Sequence, residues 1–224
     1  YFSWNDCCCN NCKGIEMISL DTAITFFPFA LSLALLPGPD NIFVLTQSLI
    51  YGRISGIFAT LGLATGIMFH TSAVAFGVAT ILETSQFAFS ALKYIGAIYL
   101  LYLAFKAFRA GNTNLENKTG PKDTKITLYK RGLIMNITNP KVAIFFLAFL
   151  PQFVDPNKGA ILSQFYQLGI LMFIATILVF TSIALSASFV GKWLFNSKDA
   201  MLYLNRFACL IFISLAAKLA FAQK

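Results

Sequence analysis

Long apolar runs, each near the length of a bilayer crossing, are separated by short polar connections along most of the chain. Six such segments stand out: 20–51, interrupted at 37–39, then 57–82, 86–108, 132–154, 160–190 and 202–222. A crossing helix needs roughly 20 apolar residues, so each segment is read as one span. The first is too long for a single straight helix: at ~1.5 Å per residue it would run ~48 Å, against a hydrocarbon core of ~30 Å. Pro37-Gly38-Pro39 explains the excess. Each proline removes an amide donor and disfavours helix at the residue before it, and the glycine frees the backbone. The first helix is therefore expected to break into two arms. Asn136-Ile137-Thr138-Asn139-Pro140-Lys141 predicts a second break, in the fourth helix.

The one long polar stretch, 109–131, divides the chain into a three-helix unit at 17–108 and another at 132–224. Glycines recur in step: Gly56 and Gly66 follow Pro39 by 17 and 27 positions, and Gly159 and Gly169 follow Pro140 by 19 and 29. Because each unit holds an odd number of spans, two related units must be inverted in the membrane, an arrangement that places substrate at broken helices near the repeat interface. The expected fold class is an all-α polytopic membrane protein, six helices as two inverted three-helix repeats with the first and fourth broken.

Composition supports this. The 224 residues are 58% hydrophobic and 12% charged, with mean hydropathy +0.72, where soluble domains carry about 25% charge. The net charge of +8 is read as basic loops facing anionic lipid rather than as a nucleic-acid surface. Placing 109–131 inside puts Arg53, Lys106, Arg109, Lys130, Arg131 and Arg206 among the cytoplasmic residues and leaves Lys93, Lys158, Lys218 and Lys224 outside. Both termini are then expected outside. Residues 1–16, with Cys7-Cys8-Cys9 and Cys12 but no apolar core of a signal peptide, read as a start-site artefact or disordered tail. Contiguous cysteines are poor metal-ligand spacing, and no metal or cofactor is expected.

The candidate chemistry gathers at the breaks. Asp40 and Lys141 take matching places with opposite charge, and ionisable groups at membrane depth mark pathways. They either approach each other or meet the ammonium and carboxylate of a zwitterion; the alternative is that both snorkel to water. Asn41, Asn136 and Asn139 can satisfy freed backbone groups or bind substrate. His70, the only histidine, is a candidate proton relay with Asp40, since an ordinary imidazole titrates near ~6.5, or a packing residue. Gly62/Gly66 and Ser182/Ser186 are small-x-x-x-small pairs that bring helices close, within the chain or in a homodimer.

Several of these motifs together resemble a known family. Pro37-Gly38-Pro39 with Asn41, Asn139-Pro140-Lys141, Arg131-Gly132, Pro151-Gln152-Phe153 and Lys93-Tyr94-Ile95-Gly96-Ala97 resemble the LysE/RhtB translocators over about 17–222. Cys209 departs from the pattern, where members often have glycine. The resemblance implies a multi-pass protein of the bacterial cytoplasmic (inner) membrane. Such a protein exports amino acids or derivatives, from lysine to threonine, homoserine and leucine, by proton antiport. The partners implied are an amino-acid substrate and the lipid bilayer. An ion exporter on the same fold is the alternative, although the spans lack a carboxylate or thiolate cluster. No serine–histidine dyad or His-Glu-x-x-His is present for a membrane enzyme.

Overall fold

The computed structural model describes residues 18–84, 86–109, 123–155, 157, 159–189 and 200–221. The cysteine-rich start and most of the polar connection at 110–122 lie outside the described residues. The described part is helical throughout: α1 (Leu20–Leu35), α2 (Pro39–Tyr51), α3 (Arg53–Thr84), α4 (Gln86–Arg109), α5 (Lys125–Ile137), α6 (Pro140–Ile144), α7 (Ile161–Leu185) and α8 (Ala200–Phe221). A π-helical turn, Phe145–Phe149, and a 3-10 turn, Leu150–Phe153, continue α6.

The helix starts follow from local chemistry. Ser19 caps α1 by accepting from the Thr22 amide at 3.2 Å, and Thr124 caps α5 from the Thr127 amide at 3.3 Å. A threonine cap ahead of a run with buried Leu128 and Gly132 starts this helix seven residues before the apolar pattern does. The polar connection expected over 109–131 therefore ends in helix, and Lys125–Arg131 are its first two turns. Pro28 sits inside α1 without ending it, whereas Pro37 and Pro39 stop it, because Gly38 adopts a fully extended backbone (φ −173°, ψ 178°).

Both breaks bend the chain. α1 and α2 meet at 61°, and α5 meets the α6 segment at 48°. Among the described residues three helices, in α3, α7 and α8, are long and apolar enough to cross a membrane, and each bent pair counted as one span brings the number to five. The expected sixth is α4, 24 residues long but carrying Lys93, Lys106 and Arg109.

α3 and α7 stand at the centre: α3 packs on α5, α7 and α2, and α7 also on α1 and α2, while α4 pairs with α8. Close approach of α3 and α5 depends on glycine on both sides. A Cβ at Gly62 would overlap the Tyr129 carbonyl and lie 2.9 Å from the Leu133 amide, and one at Gly132 would overlap the Ala59 carbonyl. Gly66, one turn on, abuts the Asn136 side chain. The Gly62/Gly66 face is thus used inside the chain. Ser182 and Ser186 are placed differently: they line a groove of about 300 Å³ with Leu31, Leu35, Leu178, Val179 and Ile183. Their hydroxyls bond back to Leu178 and Ser182 carbonyls of their own helix.

One aromatic-rich core fills the space beside the second break. Phe26, Phe145, Phe146, Phe149 and Phe165 are fully buried. The rings form a chain, from Phe146 to Phe145 (6.1 Å), Phe149 (4.8 Å) and Phe153 (5.2 Å), with Phe26 and Phe29 of α1 edge-on to it. Lys218 of α8 closes the far end, its ammonium 4.1 Å and 4.7 Å from the Phe29 and Phe153 rings.

Candidate functional site: the joined helix breaks

A broken helix leaves carbonyls and amides that the bilayer cannot satisfy. Here the two breaks satisfy each other. At the end of α1, the Ala34 carbonyl accepts from Asn41 Nδ2 at 2.9 Å and the Leu36 carbonyl from Lys141 Nζ at 3.2 Å. At the start of α6, Asn139 Oδ1 accepts from the Lys141 amide at 3.0 Å, and Asn139 Nδ2 donates to Asp40 Oδ2 at 2.9 Å. Asn139 thus caps its own helix with one side-chain atom and holds the carboxylate of the other break with the second.

The electrostatics are crossed in the same way. Asp40 lies in the first turn of α2, where amide dipoles favour an anion, and the Lys141 ammonium is held by the carbonyl of Leu36, the residue that caps the end of α1. Asp40 (2% exposed) and Lys141 (9%) are both buried, so snorkelling is not how this structure accommodates them. They do not form a direct ion pair; Asn139 and the Leu36 carbonyl take their bonds. Gly38 leaves room for this, since a Cβ there would lie 3.2 Å from Lys141 Nζ.

Asn136 completes the cluster. Its carbonyl lies 3.1 Å from His70 Nε2, and His70 rests against Phe146, ring centroids 5.7 Å apart. His70 is therefore hydrogen-bonded to the second break and has no direct bond to Asp40. Among the described residues four buried side-chain acceptors have no partner, Asn41 Oδ1, Gln47 Oε1, Asp40 Oδ1 and Asn136 Oδ1, and the last two belong to this cluster. Both residues line a cavity with Lys141, closed by Leu33, Ala34, Ile67, Val142, Met172, Thr176 and Phe180. Its volume, about 10 Å³, holds roughly one water, too little for an amino acid until the helices around it move apart. Unsatisfied acceptors beside an ammonium, walled by aliphatic groups, suit a small ligand that carries its own donors.

Of the residues singled out from sequence, Asp40, Asn136, Asn139 and Lys141 come together, with Gly38 packed against Lys141. Asn41 serves the backbone of α1. Pro37, Pro39 and Pro140 act through the backbone alone. The wall from α7 had not been anticipated, although Met172, Thr176 and Phe180 recur at four-residue spacing, one face of a helix. The Phe145/Phe149/Phe153 spacing carries the same signal.

Opposite charges buried where two interrupted helices meet are the kind of arrangement that transporters place at mid-helix breaks. The comparisons narrow the class. The family described as LysE type translocator matches residues 31–223, and the chain belongs to it. Three relatives are similar over most of their length. The leucine efflux protein of Klebsiella pneumoniae is 31% identical over 204 residues, 89% of this chain and 95% of its own. The homoserine/homoserine lactone efflux protein of Salmonella typhimurium is 31% identical over 191 residues, 85% and 92%. The uncharacterized membrane protein YrhP of Bacillus subtilis is 30% identical over 188 residues, 80% and 89%. No solved structure matches the chain.

Proposed function

We propose that this chain is a secondary transporter of the bacterial inner membrane that exports amino acids or their derivatives, coupled to proton entry. The observation that carries the reading is the crossed pair of breaks, in which Asp40 and Lys141 face one cavity with two unsatisfied acceptors. A zwitterion matches this arrangement in charge and donors: once the cavity widens, its ammonium takes Asp40 Oδ1 and Asn136 Oδ1, and its carboxylate takes Lys141. Relatives named for leucine and homoserine efflux support the direction and substrate class.

The reading includes six spans as inverted repeats, with both termini outside. The helix pairings support it: α3 on α5 and α7 on α1 are equivalent under the inversion, and α4 on α8 pairs the third helix of each half. Alternating access then requires this cavity to widen and to open to one side at a time. Asp40 and His70 both bond to the Asn136–Asn139 turn or lie beside it, so protonation there can be linked to substrate release. In this mechanism Asp40 holds either the substrate ammonium or a proton, and Asn139 keeps the carboxylate oriented for both.

Cells fed peptides of leucine, homoserine or threonine accumulate the free amino acid and test the proposal. Expression of this chain should lower the internal pool and raise the external one, and dissipating the proton gradient should abolish the difference. A growth-inhibition panel that includes cadmium separates the readings: resistance to cadmium alone would defeat amino-acid export in favour of an ion exporter.

A further inference from the structure

Resting on that exporter reading, we infer that the cavity at the breaks selects amino acids with a neutral, aliphatic side chain and rejects basic ones. The argument is a charge balance. The cavity wall contains one carboxylate, Asp40, and one ammonium, Lys141. A bound zwitterion presents one group of each sign, so ammonium meets carboxylate, carboxylate meets ammonium, and the buried charges sum to zero. A lysine or arginine side chain adds a second cation. The surface left to receive it is Leu33, Ile67, Val142, Met172 and Phe180, none of which can neutralise it. An uncompensated charge buried among aliphatic groups is strongly disfavoured. The same five side chains are apolar, as a branched aliphatic substituent requires when the cavity widens to admit it, with Thr176 contributing the single hydroxyl of the wall. His70 cannot supply the missing anion, and its Nε2 already faces the Asn136 carbonyl.

Proteoliposomes of the purified chain, loaded with labelled leucine or labelled lysine, measure the choice directly. Leucine efflux should exceed lysine efflux by at least about 100-fold, the factor expected for leaving a buried charge unpaired. Lysine efflux within about 10-fold of leucine, a far smaller penalty than a buried unpaired charge carries, would overturn the inference and leave the exporter reading intact. Efflux of neither leucine, homoserine, threonine nor lysine would overturn the exporter reading itself. The variant Thr176→Asp, close in size, places a second carboxylate in the wall and should raise lysine efflux while lowering that of leucine. If it reaches the membrane at wild-type level and keeps the wild-type leucine-to-lysine ratio, this cavity does not set the choice. If it fails to accumulate, the wild-type ratio decides alone.

Discussion

The Asn139–Asp40 bond can be broken and rebuilt with the same two side chains. Asn139→Ala removes two interactions: the cap on α6, typically worth about 1 kcal/mol, and a hydrogen bond to a charged acceptor, worth about 1.5–3 kcal/mol. The expected loss is therefore about 2.5–4 kcal/mol. Asn139→Asp keeps the cap, because a carboxylate oxygen can still accept from the Lys141 amide. It removes the donor that Asp40 uses, however, and sets two buried carboxylates against each other, so its loss should at least equal that of Asn139→Ala. Adding Asp40→Asn restores the pair in reverse, with the amide now on α2 donating to the carboxylate on α6. The Asp40→Asn/Asn139→Asp protein should recover to within about 1 kcal/mol of the parent, because the two substitutions are in contact and the second restores the interaction that the first removes. At about 2–4 °C per kcal/mol for a chain of this size, the single variants should lose roughly 5–16 °C of apparent melting temperature in detergent, and the double variant most of that back. All variants are melted at one scan rate, since irreversible unfolding makes the apparent midpoint depend on it. If the double variant melts no higher than Asn139→Asp alone, the breaks do not depend on each other in the way described.

Other consequences follow from the packing. Gly62→Ala should destabilise by about 1–3 kcal/mol, because the new methyl meets backbone of α5 that cannot rotate away. Gly77→Ala, with nothing within 4 Å of its Cβ position, should melt at least as high as the parent, and the pair should be read in the same assay. Phe149→Ala removes a fully buried ring that touches Phe29, Phe145 and Phe153, and should cost about 3–5 kcal/mol. Orientation is checked by a cysteine at position 120 in a Cys-free background, which an impermeant thiol reagent should reach only in inside-out vesicles. Labelling in intact cells would invert the topology.

Much of the fold was legible because lipid leaves few options. Apolar runs of spanning length must be helices, and Pro37-Gly38-Pro39 within one of them must break it. Asp40 and Lys141 were identifiable for the same reason, as charges that a bilayer does not tolerate without partners. What their partners were was not legible. The sequence pattern suggested mutual approach, contact with the two ends of a zwitterion, or exposure to water, and the structure brings both to one cavity while bonding Asp40 to Asn139 and Lys141 to the Leu36 carbonyl. The choice depends on how the two extended segments cross, a tertiary fact with no local signature. The wall of the cavity was missed because Met172, Thr176 and Phe180 sit in a helix apolar on nearly every side, where the inward face does not differ from the lipid face. Likewise the first turns of α5 were hidden by Lys125, Thr127, Lys130 and Arg131, since the exposed face of a helix and a loop share a composition. Ser182 and Ser186 had the spacing of a packing motif, yet they line an open groove, because small residues permit close approach without compelling it.

The central claim is that Asp40 and Lys141 read the two ends of one amino acid. It is tested most directly by equilibrium binding of leucine, leucinamide and 4-methylpentanoate to the purified protein, its Asp40→Asn variant and its Lys141→Met variant. The parent should bind leucine more tightly than either analogue. Lys141→Met should bind leucinamide as well as leucine, having lost the group that distinguishes the carboxylate, and Asp40→Asn should lose the preference for leucine over 4-methylpentanoate. Wild-type leucine affinity and unchanged discrimination in both variants would contradict the account.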